Sequence, residues 1–244
     1  MMSSVQRWVV YTNNYCNLSC VKCNTGCDKP YGSTPFRESK YDIPLNELEL
    51  LLMRLPLNTE IRLVGGETTA MSLSTLVALF DLIHEYNCTV SLLTNGYRLR
   101  RLLCEDLFSA NDSVTLDNHG VNENMIQNCV HDLQRRNIMY EVIDTLIHYD
   151  LESAIPYSQG LRCDQWFTKP SLYDGVIYPC CSMMTLKGGL RDTWGTLKEL
   201  GWTVYNPSWY ELFLGAVLPP SIHHRCLYEC FLPNLKMGVP HKLY

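Results

Sequence analysis

Two spacings of apolar residues alternate along the first 150 positions of the chain. Short runs rich in Val, Ile, Leu and Thr stand at 7–12, 60–64, 89–93, 112–116 and 138–147. They have the length and the β-branched content of buried strands. Between them, apolar residues recur in steps of three and four. Leu73, Leu76, Val77, Phe80 and Ile83 mark one helical face over 72–86. Met125, Ile126, Cys129, Val130 and Leu133 mark another over 122–136. Leu-rich stretches at 45–55 and 97–108 predict two further helices.

Strand–helix alternation through short loops predicts βα units and therefore a parallel sheet. Five strand and four helix candidates fall short of an eight-fold barrel. The expected fold is α/β, a partial (β/α) TIM-like barrel of about five to six parallel strands. From about residue 150 the alternation stops. Residues 172–181 read as a hairpin turning at Asp174-Gly175, and 193–200 and 207–216 as short helices. Two domains are expected, 1–150 and 151–244.

Composition removes several function classes. The net charge is -5 and there is no Lys/Arg run, so nothing recruits a nucleic acid. No apolar run approaches the roughly 18 residues of a membrane span. The N-terminus lacks the apolar core of a signal peptide. A cytoplasmic location is the expectation.

The 12 cysteines change the picture most. In a reducing compartment they are not expected to pair as disulfides. Cys88, Cys104 and Cys129 sit inside apolar periodic stretches and read as small buried hydrophobes. The clusters at 16–27, 163–181 and 226–230 lie in polar or turn-like segments at the short spacings of metal ligands. Cys16, Cys20 and Cys23 form a C-x3-C-x2-C motif directly after the first strand candidate. Three thiolates on one loop can hold three irons of a cubane and leave the fourth open. By spacing alone, zinc is the alternative metal.

This triplet resembles the hallmark of the radical S-adenosylmethionine (SAM) superfamily. The resemblance implies that Cys16, Cys20 and Cys23 hold a [4Fe-4S] cluster whose open iron chelates SAM. Reductive cleavage of SAM then gives methionine and a 5′-deoxyadenosyl radical. Three further segments resemble family motifs, each after a strand candidate and before a helical one. Gly65-Gly66-Glu67 is similar to the GGE motif that binds the SAM amino group, with the glycines admitting a close backbone approach. Thr94 and Asn95 open a Thr-Asn-Gly segment similar to the one beside SAM. Asp117 is the candidate for the SAM ribose, and His119 is either a proton acceptor or a turn residue. The residue before the third cysteine is often aromatic in that family; here it is Lys22. Cys27 matches no family ligand.

The C-terminal third offers Cys163, Gly175-x4-Cys180 with Cys181 beside it, and Cys226-x3-Cys230. This resembles the Twitch domain, the short form of the SPASM domain. The resemblance implies a second, auxiliary [4Fe-4S] cluster on Cys163, Cys180, Cys226 and Cys230. Cys181 competes with Cys180 for its position, and four thiolates also suit structural zinc. Trp166, Tyr173 and Tyr178 are expected to pack around that site. The layout as a whole is similar to the 2-deoxy-scyllo-inosamine dehydrogenases, short Twitch-containing members of the superfamily.

The expected function is hydrogen abstraction from a substrate followed by its oxidation, with the auxiliary cluster as electron acceptor. A small-molecule substrate fits most simply, with an electron donor such as flavodoxin or ferredoxin as partner. The alternatives are a radical SAM enzyme that crosslinks or epimerises a peptide, and a zinc-binding structural module.

Overall fold

The computed structural model describes residues 7–19, 39–120, 122–144, 170–179 and 197–214. The chain divides into two compact units, of which Gln6–Leu146 is one.

In that unit five strands run parallel. They are β1 (Arg7–Asn13), β2 (Glu60–Gly65), β3 (Thr89–Thr94), β4 (Ser113–Asn118) and β5 (Met139–Asp144). Their order in the sheet is β5-β4-β3-β2-β1, the order of the sequence. Helices α1 (Leu45–Leu52), α2 (Leu73–Glu85), α3 (Leu99–Leu103) and α4 (Glu123–Arg135) connect successive strands. Each crossover steps one strand in the same direction. With the right-handed connection that parallel βαβ units adopt, every helix falls on the same face. This is the winding of a (β/α) barrel and not of a doubly wound sheet, and the fold is α/β as expected.

The register separates the two faces. Trp8, Ile61 and Val90 are paired across one row, and Val10, Leu63, Leu92 and Val114 across the next. All seven are at most 1% exposed and form the apolar face. Leu48, Leu51, Leu76, Leu79, Phe80, Ile83, Ile126 and Leu133 are the matching buried stripes of the helices. The opposite face is more polar. There Arg62 donates to Thr115 Oγ1 at 3.1 Å, and Thr115 Oγ1 donates to Glu141 Oε1 at 2.7 Å.

Asparagine stops two of the helices. Asn87 and Asn137 have φ of 54°, a left-handed conformation that asparagine tolerates. After α2, Cys88 N–H reaches Ile83 O and Asn87 N–H reaches His84 O, at 3.1 and 2.9 Å. After α4, Ile138 N–H reaches Leu133 O and Asn137 N–H reaches Gln134 O, at 3.1 Å each. Both ends are Schellman motifs, and a strand begins two residues beyond each asparagine.

Two expectations need correction. The helix expected over 97–108 spans only Leu99–Leu103. Left-handed Arg98 (φ 56°) precedes it and left-handed Asp106 (φ 55°) follows, so one buried turn of Leu99, Leu102 and Leu103 is all that fits. Cys104 therefore falls past the helix and is exposed, whereas Cys88 and Cys129 are buried as expected.

The second unit contains a hairpin. Strand β6 (Ser171–Tyr173) pairs antiparallel with β7 (Val176–Tyr178). Asp174 and Gly175 both have positive φ, 48° and 68°, the type I′ geometry that an Asp-Gly turn favours. Val204 N–H donates to Gly175 O and Ile177 N–H to Trp202 O, both at 2.9 Å. Residues 197–199 are helical, and helix α5 spans Trp209–Leu214. Leu172, Ile177, Trp202, Trp209 and Phe213 are buried, with the Trp202 and Phe213 rings edge to face at 5.5 Å.

Candidate functional site

The C-terminal ends of β1 to β4 carry an unusual density of buried, uncharged hydrogen-bonding side chains. Strand β1 ends in Thr12, Asn13 and Asn14, all 0% exposed. Thr12 Oγ1 donates to Val64 O at 2.9 Å and Asn13 Nδ2 donates to Glu67 O at 2.8 Å. Gly66 N–H donates to Asn13 O at 3.0 Å, and Glu67 N–H donates to Tyr15 O at 2.7 Å. Asn14 Oδ1 accepts Tyr41 N–H at 2.9 Å. The chain entering the cysteine loop is thereby fixed on both sides before it reaches Cys16.

These contacts explain Gly65 and Gly66. A Cβ on Gly66 would lie 2.1 Å from Tyr15 O, and one on Gly65 2.5 Å from Asn13 O. The close approach that the glycines permit is to the backbone leading into Cys16.

Glu67 is the node between β2 and β3. Its residue is 2% exposed. Oε1 accepts from Thr69 N–H at 3.1 Å and from Thr94 Oγ1 at 2.6 Å, with Thr69 Oγ1 also at 2.6 Å. Oε2 accepts Asn95 N–H at 2.8 Å. Burial pushes the Glu67 carboxyl above its usual range, while the hydrogen bonds from Thr69, Thr94 and Asn95 pull the other way.

Asn95 joins β3 to the cysteine loop and to β4. Its Nδ2 lies 3.0 Å from Asn17 Oδ1 and 3.5 Å from Cys16 Sγ. Its Oδ1 accepts Tyr97 N–H at 2.9 Å, and its carbonyl accepts Asn122 Nδ2 at 2.7 Å. Asn122 Nδ2 is also 3.1 Å from Asp117 O, and its Oδ1 accepts His119 N–H at 2.8 Å. At the end of β4, Asp117 Oδ2 lies 3.4 Å from His119 Nε2.

Cys16, Gly65, Gly66, Glu67, Thr94, Asn95 and Asp117 thus stand at the same ends of four successive strands. Cys20, Cys23, Cys163, Cys180, Cys181, Cys226 and Cys230 lie outside the described residues, as do Lys22, Cys27 and Trp166. Among the described residues, no group of three or more His, Cys, Asp or Glu could hold a metal ion. Cys16 itself fits a metal thiolate. Its sulfur is reached by Leu18 N–H at 3.3 Å besides Asn95 Nδ2. N–H donors stabilise the anionic form that ligates metal.

Thr12, Asn13, Asn122 and Thr68, whose buried Oγ1 lies 2.9 Å from Thr12 Oγ1, belong to the site and escape the motif reading. The signal for the first two is three successive polar residues closing an apolar strand. Asn122 reads as the cap of α4, yet its side chain makes no cap bond and turns to β3 and β4. Beside it opens a cavity of about 370 Å³ lined by Leu18, Gly120, Asn122, Glu123, Asn124 and Met125.

In the second unit, Tyr173 and Tyr178 are buried, and the cysteines they are expected to pack around lie outside the described residues. Among the described residues, the Tyr178 hydroxyl has no hydrogen-bond partner, and burial pushes its pKa up.

No family model and no curated protein matches the chain. Among solved structures, it is similar to polyhistidine-tagged anSMEcpe with bound AdoMet at 17% identity and a TM-score of 0.42. That match covers 56% of this chain and 41% of the other. Native anSMEcpe with bound AdoMet and the Cp18Cys peptide is similar at 16% identity and a TM-score of 0.40, over 56% of this chain and 42% of the other. The chain thus spans less than half the length of these structures, and a likeness of this size decides neither activity nor substrate.

Proposed function

We propose that this chain is a radical SAM enzyme. The observation that carries the reading is the convergence of Cys16, Glu67, Asn95 and Asp117 at the C-terminal ends of β1 to β4, linked by hydrogen bonds. Parallel βα folds place their chemistry at this end of the strands. Cys16, Cys20 and Cys23 would hold the [4Fe-4S] cluster, which when bound supplies the electron that cleaves SAM.

The other residues divide the work of binding SAM. Among the described residues Glu67 Oε2 accepts one hydrogen bond, and a SAM ammonium is the partner its charge favours. Asp117 would take the ribose hydroxyls. The cavity between Leu18 and the start of α4 adjoins the Cys16 loop and is of ligand size. Its lining mixes apolar Leu18 and Met125 with polar Asn122 and Asn124, the mixture an adenosine needs.

The wider reading covers the whole chain. Residues 1–150 form the barrel unit, and residues 151–244 form a Twitch-like domain that holds an auxiliary [4Fe-4S] cluster on Cys163, Cys180, Cys226 and Cys230. The substrate is a small molecule that loses a hydrogen atom to the 5′-deoxyadenosyl radical, then one electron to the auxiliary cluster and one proton to solvent. A flavodoxin or ferredoxin supplies the first electron. Product analysis separates this from a peptide crosslink or epimerisation. The test is anaerobic reconstitution with iron and sulfide, then incubation with SAM and a low-potential reductant. Release of 5′-deoxyadenosine supports the reading, and iron-loaded protein that leaves SAM intact contradicts it.

A further inference from the structure

We propose that Asn95 is a positioning residue for the metal centre and acts through the Cys16 sulfur. The inference rests on the radical SAM reading and goes beyond it, because that reading places Asn95 beside SAM. In the structure every polar group of Asn95 is engaged within the protein. The backbone N–H is held by Glu67 Oε2 and the carbonyl by Asn122 Nδ2. Oδ1 is held by Tyr97 N–H. The two hydrogens of Nδ2 match two acceptors, Asn17 Oδ1 at 3.0 Å and Cys16 Sγ at 3.5 Å.

The Glu67 and Asn122 bonds fix the backbone that carries the side chain, and Tyr97 N–H and Asn17 Oδ1 fix the amide plane before the sulfur is considered. Tyr97 N–H identifies the oxygen side, so the nitrogen side faces the cysteine loop. At 4% exposure, Asn95 is nearly withdrawn from solvent. Leu18 N–H is a second donor among the described residues, at 3.3 Å. It belongs to the loop itself, so its position follows the loop. Asn95 comes from β3 and reports where the loop sits relative to the sheet. A side-chain N–H on a ligating sulfur withdraws electron density and favours the reduced state of the centre. It also ties the first ligand to the strand end that carries Glu67.

The test uses the full chain, reconstituted anaerobically, with iron content and an EPR-monitored redox titration as readouts. Asn95→Leu removes the donor at near-constant volume. Asn95→Asp keeps the acceptor for Tyr97 N–H and turns an oxygen toward the sulfur. Asn17→Ala is the comparison, because it keeps the Asn95 donor on the sulfur and removes Asn17 Oδ1, which lies 3.0 Å from Asn95 Nδ2 and 3.7 Å from Cys16 Sγ. The expected result is unchanged iron in Asn95→Leu with a reduced-to-oxidised ratio about tenfold lower at a fixed potential. For one electron that is a shift of about 59 mV to more negative potential. Asn95→Asp should shift further in the same direction, and Asn17→Ala, which keeps the donor, should not shift to more negative potential. An unshifted potential in iron-loaded Asn95→Leu overturns the proposal, as does loss of iron from both Asn95 variants, which would make the residue a scaffold only. Wild-type protein that binds no iron would instead refute the radical SAM reading.

Discussion

Asn95 donates its backbone N–H to Glu67 Oε2 at 2.8 Å, and the carboxylate that receives it is almost wholly withdrawn from solvent. Its neighbour Thr94 donates to Oε1 at 2.6 Å. The ends of β2 and β3 therefore share one buried charge, and the protonation of Glu67 is coupled to the geometry of the site.

The sign of that coupling follows from burial. Desolvation raises the Glu67 carboxyl above its ordinary value of 4.5. Below 4.5 both the folded and the unfolded chain hold the proton, and its stabilising contribution is complete. As pH rises through the raised folded-state pKa, the unfolded chain has lost the proton first, and stability falls. Glu67→Gln removes this titration, so urea unfolding followed from pH 4.5 upward should show a flatter profile than wild type. A SAM ammonium favours the carboxylate, so SAM should bind more tightly as pH rises through the same window. Isothermal titration at several pH values should show that trend in wild type and not in Glu67→Gln.

Gly66→Ala should disturb the cysteine loop more than the sheet. The added Cβ meets Tyr15 backbone atoms at 2.1, 2.4 and 2.6 Å, which no side-chain rotation relieves. Overpacking of this kind costs roughly 1–3 kcal/mol or more. The expected outcome is a protein with native far-UV circular dichroism and reduced iron binding. Full iron binding would show that the loop can shift without loss.

Asp112 tests the opposite end of the strands. Its Oδ1 accepts Val90 N–H at 2.7 Å, and its Oδ2 accepts Ser109 N–H at 2.7 Å and lies 2.9 Å from His84 Nε2. The side chain is 0% exposed. Asp112→Ala leaves the buried Val90 N–H without this acceptor and releases the part-buried Ser109 N–H and His84, and should cost roughly 1–3 kcal/mol in denaturant unfolding. Iron content and SAM binding of the folded fraction should be unchanged, since the residue precedes β4 at its N-terminal end. A selective loss of SAM binding would contradict the placement of the site.

How much of this was legible in the sequence depends on the kind of signal. The strands and the long helices follow from apolar period, because burial against one face imposes it. The turn at Asp174-Gly175 follows from its two left-handed residues. The length of α3 did not, since nothing in the run of leucines announces that Arg98 and Asp106 adopt positive φ. Motif reading found Glu67 and Asn95 but not their mutual bond, which exists only once β2 and β3 are adjacent. It missed Asn122, because an asparagine before a helix has the same local signature whether it caps the helix or reaches across to Asn95 and Asp117.

The auxiliary centre gives a prediction of its own. Anaerobically reconstituted protein should contain about eight iron and eight sulfide per chain, for two cubanes. Cys226→Ala with Cys230→Ala should reduce that to about four and leave SAM cleavage in place. About four iron with one zinc in the wild type would remove the auxiliary cluster from the account.

The most direct test is 5′-deoxyadenosine formation by the reduced, reconstituted chain, compared with Cys20→Ala. Chromatography with mass detection should show 5′-deoxyadenosine and methionine in equal amounts from wild type and none from the variant, because two thiolates do not hold the open-site cubane. Equal 5′-deoxyadenosine from both proteins, or none from iron-loaded wild type, would contradict the radical SAM assignment.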